Sequence, residues 1–467
     1  MASVITGSAN PPRAAAQPSL KRVIGPGLLL LFIIGDLLGT GIYALTGEVA
    51  GHVGGMVWLP FLVAVAVALI TALSYLELVT KYPRAAGAAL YVHKAFRSRA
   101  FTFLVGFAVM CSGITSASTA SRAFAANLAD GFGLSLGEGM AITLVGLAFM
   151  LAIAGINFRG VGESLKANVV LTLVELSGLL IIIGIWLLAM GAGEGELSRI
   201  TEFRAPETGS AIWPAVTATT LAFFAMIGFE DSVNMVEECK QPSRIFPRML
   251  LLALAITALI YVLVSIAAVT LVPPERLSQG ETPLLTVVQV GAPGFPLWIF
   301  GLITMFAVAN TALLNMLMAS RLLYGMSREG VLPPLLGRVH PLRRTPYTAI
   351  GFTTMVALAL IIFVGEIPAL AGTTTLLLLC VFVAVNIAVL VLRRDRVEHE
   401  HFRTGTVLPV LGAISCAFLV GPWSGREPVQ YLIAVVLVAI GLGLWLLNRA
   451  LYPAAAAKVS DDGAGPG

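Results

Sequence analysis

GDLLGTGIYALTG, residues 35 to 47, lies inside an apolar stretch from Ile24 to Glu48 that is long enough to cross a bilayer as one helix. Gly35, Gly39 and Gly41 weaken a helix and Asp36 puts a charge into it, so an unbroken helix in lipid would expose backbone groups and bury a costly carboxylate. The stretch predicts a helix interrupted near its middle. A second stretch of the same kind, AMIGFED, residues 225 to 231, interrupts the apolar run from Ile212 to Glu237.

The rest of the chain supports a membrane setting. Of 467 residues, 58% are hydrophobic and only 54 carry a formal charge, and the mean hydropathy of +0.92 leaves too few polar residues to cover a soluble surface. Disordered, collagen-like and coiled-coil classes fail on the same numbers. Twelve apolar windows are marked off by clusters of charge: Ile24 to Glu48, Gly55 to Leu78, Phe101 to Leu128, Met140 to Phe158, Ala167 to Met190, Ile212 to Glu237, Met249 to Val272, Leu297 to Tyr324, Tyr347 to Val364, Pro368 to Leu392, Thr406 to Gly421 and Val429 to Leu447.

An even number of spans puts both termini on one side. Of the 29 Lys and Arg, 24 fall in or beside the tails and the even-numbered loops, so the positive-inside rule predicts cytoplasmic termini in the cytoplasmic membrane. Residues 1–22 lack the basic start and apolar core of a secretory signal and carry Pro11-Pro12, which predicts a disordered cytoplasmic tail; residues 451–467 form a second cytoplasmic tail. The interrupted spans are the first and the sixth, with Gly41 and Gly228 about 190 residues apart. Five spans separate them, and five is odd, so the second set enters the membrane from the opposite side. The expected fold is therefore all-α and integral to the membrane, with about 12 transmembrane helices. Its core, 23–392, is a five-plus-five inverted repeat with broken helices 1 and 6, spans one to five at 24–190 and six to ten at 212–392. Two extra C-terminal helices follow at 393–450.

A helix unwound at the membrane midplane offers free N–H groups at one end and free carbonyls at the other. Amides at Gly39, Thr40 and Gly41 suit a carboxylate, and carbonyls of Phe224, Ala225 and Ile227 suit an ammonium, with the Phe224 ring closing over the ligand. Each segment taken singly has close helix packing as its alternative, since Gly35 and Gly39 are spaced as in GxxxG. Matching breaks in two halves favour a small zwitterionic substrate.

These patches resemble the amino acid-polyamine-organocation transporter superfamily. GDLLGTGIYALTG is similar to its glycine motif in the first span. FFAMIGFEDSVNMVEECKQPSRIFPRM, residues 223 to 249, resembles its sixth-span signature and the following loop, and NMLMASRLLYGMSREGVLP, residues 315 to 333, resembles the end of its eighth span. The resemblance implies the five-plus-five fold, alternating access, and an amino acid or related amine as substrate. It is specific to the superfamily rather than to one substrate.

Four acidic residues lie deepest within spans: Asp36, Glu175, Glu230 and Asp231. Each must be paired, protonated or facing water. Glu175 has no basic residue within one turn and is a candidate proton carrier. Some proton-coupled relatives carry a lysine in span five at the place that sodium fills in others. Glu175 stands at the matching position with the opposite sign, so that mechanism does not transfer as it stands. Asp36 has three open roles: bonding the unwound backbone, assisting the proton or meeting the amine. Glu230 and Asp231 either cap the second half of span six or act as a gate touching substrate. Glu237, Glu238, Lys240, Arg244 and Arg248 form either an inner gate or a solvated loop. The run SGITSAST, Ser112 to Thr119, is packing material or a pocket wall, and the neutral Cys111, Ser112 and Gly113 weaken a cationic substrate. Asn310 and Thr311 make sodium the second choice after protons as coupling ion.

The five histidines are too scattered for a metal or catalytic site, and the four cysteines have no metal or redox spacing. No Walker motif, Rossmann fingerprint or nucleophile elbow is present, which argues against ATP-driven pumping and enzymatic catalysis and implies no cofactor. The modest net charge of +4, spread over short clusters, argues against nucleic acid as a partner and leaves membrane lipid and a small substrate. The expected function is proton-coupled symport of amino acids. An amino acid or amine exchanger, polyamines included, a sodium-coupled carrier, and a non-transporting amino acid sensor are the alternatives.

Overall fold

The computed structural model describes residues 24–83, 87–134, 139–159, 164–204, 210, 212–328 and 330–451, with the backbone alone at 164–167 and 237. The expected tail at 1–22, and all but the first residue of that at 451–467, lie outside the described residues. The regular elements in this range are all helices, and the only strand-like pairings among the described residues are two isolated bridges.

Span one is two helices, α1 (Pro26–Leu37) and α2 (Thr40–Val53). Spans two to five follow as α3 (Trp58–Lys81), α5 (Arg99–Gly131), α6 (Met140–Arg159) and α7 (Ser164–Gly191), with a short α4 (Gly87–Phe96) between α3 and α5. Span six begins as α8 (Ile212–Ala222), and span seven is α9 (Pro242–Leu271). Two short helices, α10 (Pro274–Leu277) and α11 (Pro283–Gly291), lead to α12 (Leu297–Arg328). The last four are α13 (Tyr347–Phe363), α14 (Ile367–Leu392), α15 (Val407–Val420) and α16 (Pro428–Leu451). Proline opens α1 and α9, where its missing N–H costs nothing because the first turn has no acceptor for it.

Ten of the expected spans are helices long and apolar enough to cross a membrane, and the ninth and eleventh are shorter apolar helices. The chain is an integral membrane protein of the expected all-helical class. With 14 residues, α15 reaches about 21 Å at 1.5 Å per residue, against a hydrocarbon thickness of about 30 Å. It stops at Gly421, and Arg426 in the following loop closes its end by donating to the Leu419 carbonyl (2.8 Å) and to the Gly372 carbonyl of α14 (2.9 Å). Burial pushes the Arg426 guanidinium down to about 10, so it stays charged at neutral pH.

The helices form two packed groups. In one, α1, α2, α3, α8 and α9 lie on each other; in the other, α12 packs along α5, flanked by α6 and α13. Helices α7 and α14 touch both. The start of span one is tied to the end of span six: Ile24 N–H donates to the Glu238 carbonyl and Lys240 N–H to the Ile24 carbonyl, both at 3.0 Å. At the opposite ends of the helices, Arg122 of α5 pairs with Glu281 between α10 and α11 (3.2 Å), and Thr282 donates to Asp130 (2.6 Å).

Candidate functional site

Both interruptions expected from glycine and charge are present, and they touch. In span one, Leu38 and Gly39 leave the helix and α2 restarts at Thr40, with no side chain bonding its first amides. In span six, α8 tightens into a single 3-10 turn, Phe223–Met226, then extends at Ile227. Gly228 follows at φ +131°, a conformation that side-chain-bearing residues rarely adopt. The second half of span six differs from the expected α-helix: Asp231–Glu238 is a 3-10 helix.

Glycine is needed where the breaks meet. A Cβ at Gly41 would stand 2.5 Å from the Ala225 Cα, and one at Gly228 would stand 2.5 Å from the Asp36 carbonyl oxygen. At Gly39 the neighbour would be Thr311 Oγ1 of α12 at 2.7 Å. At Gly35 a Cβ would collide with Thr172 of α7. Span one is thus pressed between span six on one side and spans five and eight on the other.

The acidic residues cluster here. The Asp36 carboxyl lies within electrostatic reach of Asp231 and Glu230 and also of Glu175. Among the described residues, none of the four makes an ion pair with Lys or Arg. Glu175 is fully buried, and neither carboxyl oxygen has a hydrogen-bond partner among the described residues; Tyr43 binds its backbone carbonyl instead, at 2.7 Å. Asp36 Oδ2 and Thr40 Oγ1 are also buried and without a hydrogen-bond partner among the described residues. Glu230 accepts from the Gly228 N–H at 3.0 Å, so its side chain stabilises the break itself and not the first turn of the helix after it.

A cavity adjoins the breaks. Ile227, Glu230 and Asp231 line one wall, facing Ser112 and Gly113 of α5, Asn315 of α12 and Thr374 of α14. The polar run of α5 therefore supplies both packing and wall: Ser112 lines the cavity, while Thr115 bonds Thr374 at 2.7 Å. Gly39, Thr40, Gly41, Phe224 and Ala225 do not line this cavity: Gly41 packs on Ala225 and Gly39 on Thr311, Thr40 is buried, and Phe224 is buried in the α5 and α12 group. Asn310 Oδ1 accepts a long 3.5 Å bond from Asn168 Nδ2 of α7, while its own Nδ2 has no partner among the described residues. Glu238, Lys240, Arg244 and Arg248 make no ion pair among the described residues, and the Glu237 side chain lies outside them.

Tyr261 of α9 escaped the sequence reading. Its hydroxyl stands 2.5 Å from the Leu37 carbonyl and 3.1 Å from the Ala225 carbonyl, one in each break. A hydroxyl has one proton to donate, so it bonds one carbonyl fully or shares itself between both. The available signal was a tyrosine in the middle of an apolar span, where its O–H must find a partner.

Comparison with known proteins agrees with this architecture. Residues 28–446 match the sequence profile of the amino acid permease family. The chain is 26% identical to the branched-chain amino acid permease BcaP of Bacillus subtilis, over 93% of this chain and 94% of that protein. It is 27% identical to the methylthioribose transporter of the same organism, covering 92% and 94%. It is also 27% identical to the mitochondrial cationic amino acid transporter 3 of Arabidopsis thaliana, covering 81% of this chain and 63% of that protein. With nearly its whole helical length matched, the chain belongs to the amino acid permease family.

Proposed function

We propose that this permease is a secondary active transporter that moves amino acids across the cytoplasmic membrane by alternating access, coupled to protons. The observation that carries this is the contact between two helix breaks, Gly41 on Ala225 and Gly228 on Asp36. Span one supplies uncapped amides at Gly39, Thr40 and Gly41 for the substrate carboxylate, and span six supplies the carbonyls of Phe224, Ala225 and Ile227 for its ammonium. The two breaks open successive five-span halves, 24–190 and 212–392, related as an inverted repeat, with 393–450 outside it. The distribution of 24 of 29 basic residues supports cytoplasmic termini.

Proton coupling rests on Glu175, a buried carboxyl without a partner among the described residues, with Asp36 in electrostatic reach of both it and Glu230. The test is uptake of labelled amino acid into proteoliposomes under an imposed inward proton gradient. Wild type accumulates substrate, and Glu175→Gln loses accumulation while retaining exchange. Uptake that ignores a collapsed proton gradient and follows sodium or a trans substrate would sink the coupling. Substrate recovered unaltered inside the vesicles separates transport from catalysis.

A second reading, a basic amino acid or amine as substrate, is favoured by Glu230 and Asp231 on the cavity wall, where no Lys or Arg stands among the lining residues. One relative carries cationic amino acids by its name. Competition of labelled uptake by lysine, ornithine and putrescine against leucine and alanine decides between the two.

A further inference from the structure

Away from the breaks, an open groove of about 650 Å³ runs between α6 and α13 on an exposed apolar face. Met355 and Phe363 on its rim are 61% and 85% exposed. Small residues make it: Gly155 of α6 and Gly351 and Ala359 of α13. In membrane helices such residues usually bring two backbones together. Here they do not, because a Cβ at Gly155 or Gly351 would meet nothing within 4 Å. These glycines lower helix stability and leave space that no part of the described chain fills.

One end of the groove is charged. Phe158 and Tyr347 line it there, and the Arg343 guanidinium lies 5.1 Å from the centroid of the Phe158 ring. The loop that carries Arg343 is built and not loose: Arg344 N–H donates to the His340 carbonyl (2.8 Å) and His340 N–H to the Thr345 carbonyl (2.9 Å). Thr345 Oγ1 in turn donates to the Phe158 carbonyl at the end of α6 (3.1 Å). Arg159, next in the chain to Phe158, and Arg338 and Arg344, near Arg343 in sequence, are also exposed, and none of the four makes an ion pair among the described residues. Residues 330–365 contain no Asp or Glu. Leu342 in the same loop is 89% exposed, as suits a segment at headgroup depth.

We propose that this groove is a binding site for an anionic phospholipid of the bilayer, with an acyl chain along Gly155 and Gly351 and the phosphate on Arg343 and its neighbouring arginines. An apolar trough explains the chain, and a guanidinium held over its mouth, without an ion pair among the described residues, explains the negative headgroup, which a planar fork of donors binds in bidentate fashion. The site lies outside the two helix breaks and does not depend on what is transported.

The test uses the purified full-length protein in detergent, incubated with equal amounts of phosphatidylglycerol and phosphatidylcholine of identical acyl chains, and counts retained lipid by native mass spectrometry. Wild type is expected to retain phosphatidylglycerol severalfold over phosphatidylcholine. The double variant Arg343→Gln, Arg344→Gln brings that preference towards parity, whereas Arg396→Gln, Arg403→Gln in another loop leaves it unchanged. Gly351→Leu fills the trough without touching the charge and lowers retention of both lipids; since a side chain has open space there, an unchanged unfolding temperature in lipid-free detergent shows that it folds. Equal retention of the two lipids by wild type overturns the proposal, as does wild-type retention in Gly351→Leu. A dimer that Gly351→Leu dissolves without altering lipid retention overturns it as well, and makes this face a contact between two copies of the chain.

Discussion

The two helix breaks meet at one place and are built differently. Span one leaves the helix for two residues, has no side chain on the amides where α2 restarts, and then continues as 14 residues of α-helix. Span six tightens, extends, passes through a left-handed glycine, binds its own backbone through Glu230, and continues as a 3-10 helix. A break that leaves its donors free has binding capacity to give a ligand. One that uses its own side chain has already spent part of it on holding a shape. Under the proposed transport cycle, span one would dock the substrate carboxylate and span six would be its deformable partner, since 3-10 geometry is the less stable helical form.

The largest expected effect comes from the backbone of span six. Gly228→Ala combines a left-handed conformation with a collision against the Asp36 carbonyl, so it should cost about 1–3 kcal/mol from the strain alone and reduce proteoliposome uptake to background. Thermal unfolding of the purified variant reads the first effect. Near-normal stability would mean that span six relaxes easily and that the contrast between the breaks is overdrawn.

Next is the acceptor that Glu230 provides. Glu230→Ala leaves the Gly228 N–H buried without a partner, at about 1–3 kcal/mol, while Glu230→Gln keeps an acceptor oxygen and should stay close to wild type in stability. If Gln is as damaging to transport as Ala while remaining stable, the charge acts on substrate or proton beyond holding the break.

Tyr261→Phe removes a hydroxyl that stands at a carbonyl of each break. It should lower stability by about 1 kcal/mol and raise KM more than it lowers kcat, because it loosens the cradle without removing a group from it. An unchanged KM would separate this tyrosine from substrate binding.

The smallest effect belongs to span one. Gly39→Ala keeps an extended backbone and meets only the hydroxyl of Thr311, a side chain able to turn away. Its stability should fall by less than about 1 kcal/mol, with uptake reduced but measurable. A loss as severe as that of Gly228→Ala would erase the distinction between the breaks.

What the sequence made legible follows from what each feature depends on. The breaks were visible because glycine and aspartate inside an apolar window contradict a continuous helix in lipid. Most spans were visible because bilayer thickness fixes their length. The 3-10 form of residues 231–238 was not, since it depends on packing against neighbours and on the side chain of Glu230 turning back on Gly228. Helices α4, α10 and α11 were also missed, being too short to give a spanning window. Tyr261 shows the limit for the site. Its acceptor at Leu37 lies 224 residues away in sequence, and no local pattern encodes such a contact. The open glycines of α6 and α13 look in sequence like those of the breaks, and only the space around them tells close packing from a groove.

The backbone pairing of Ile24 with residues 238 and 240 gives this chain a built-in reporter. Cys239 sits between the two bonds, fully buried, with its thiol donating to the Met235 carbonyl at 3.3 Å. Burial pushes that thiol up to about 12, so almost none of it is thiolate at neutral pH. Any motion that pulls the start of span one away from the end of span six exposes the sulfur and restores its ordinary reactivity. With the other three cysteines replaced, the rate at which a polar maleimide labels Cys239 becomes a stopwatch for that separation, readable with and without substrate and without attaching a probe.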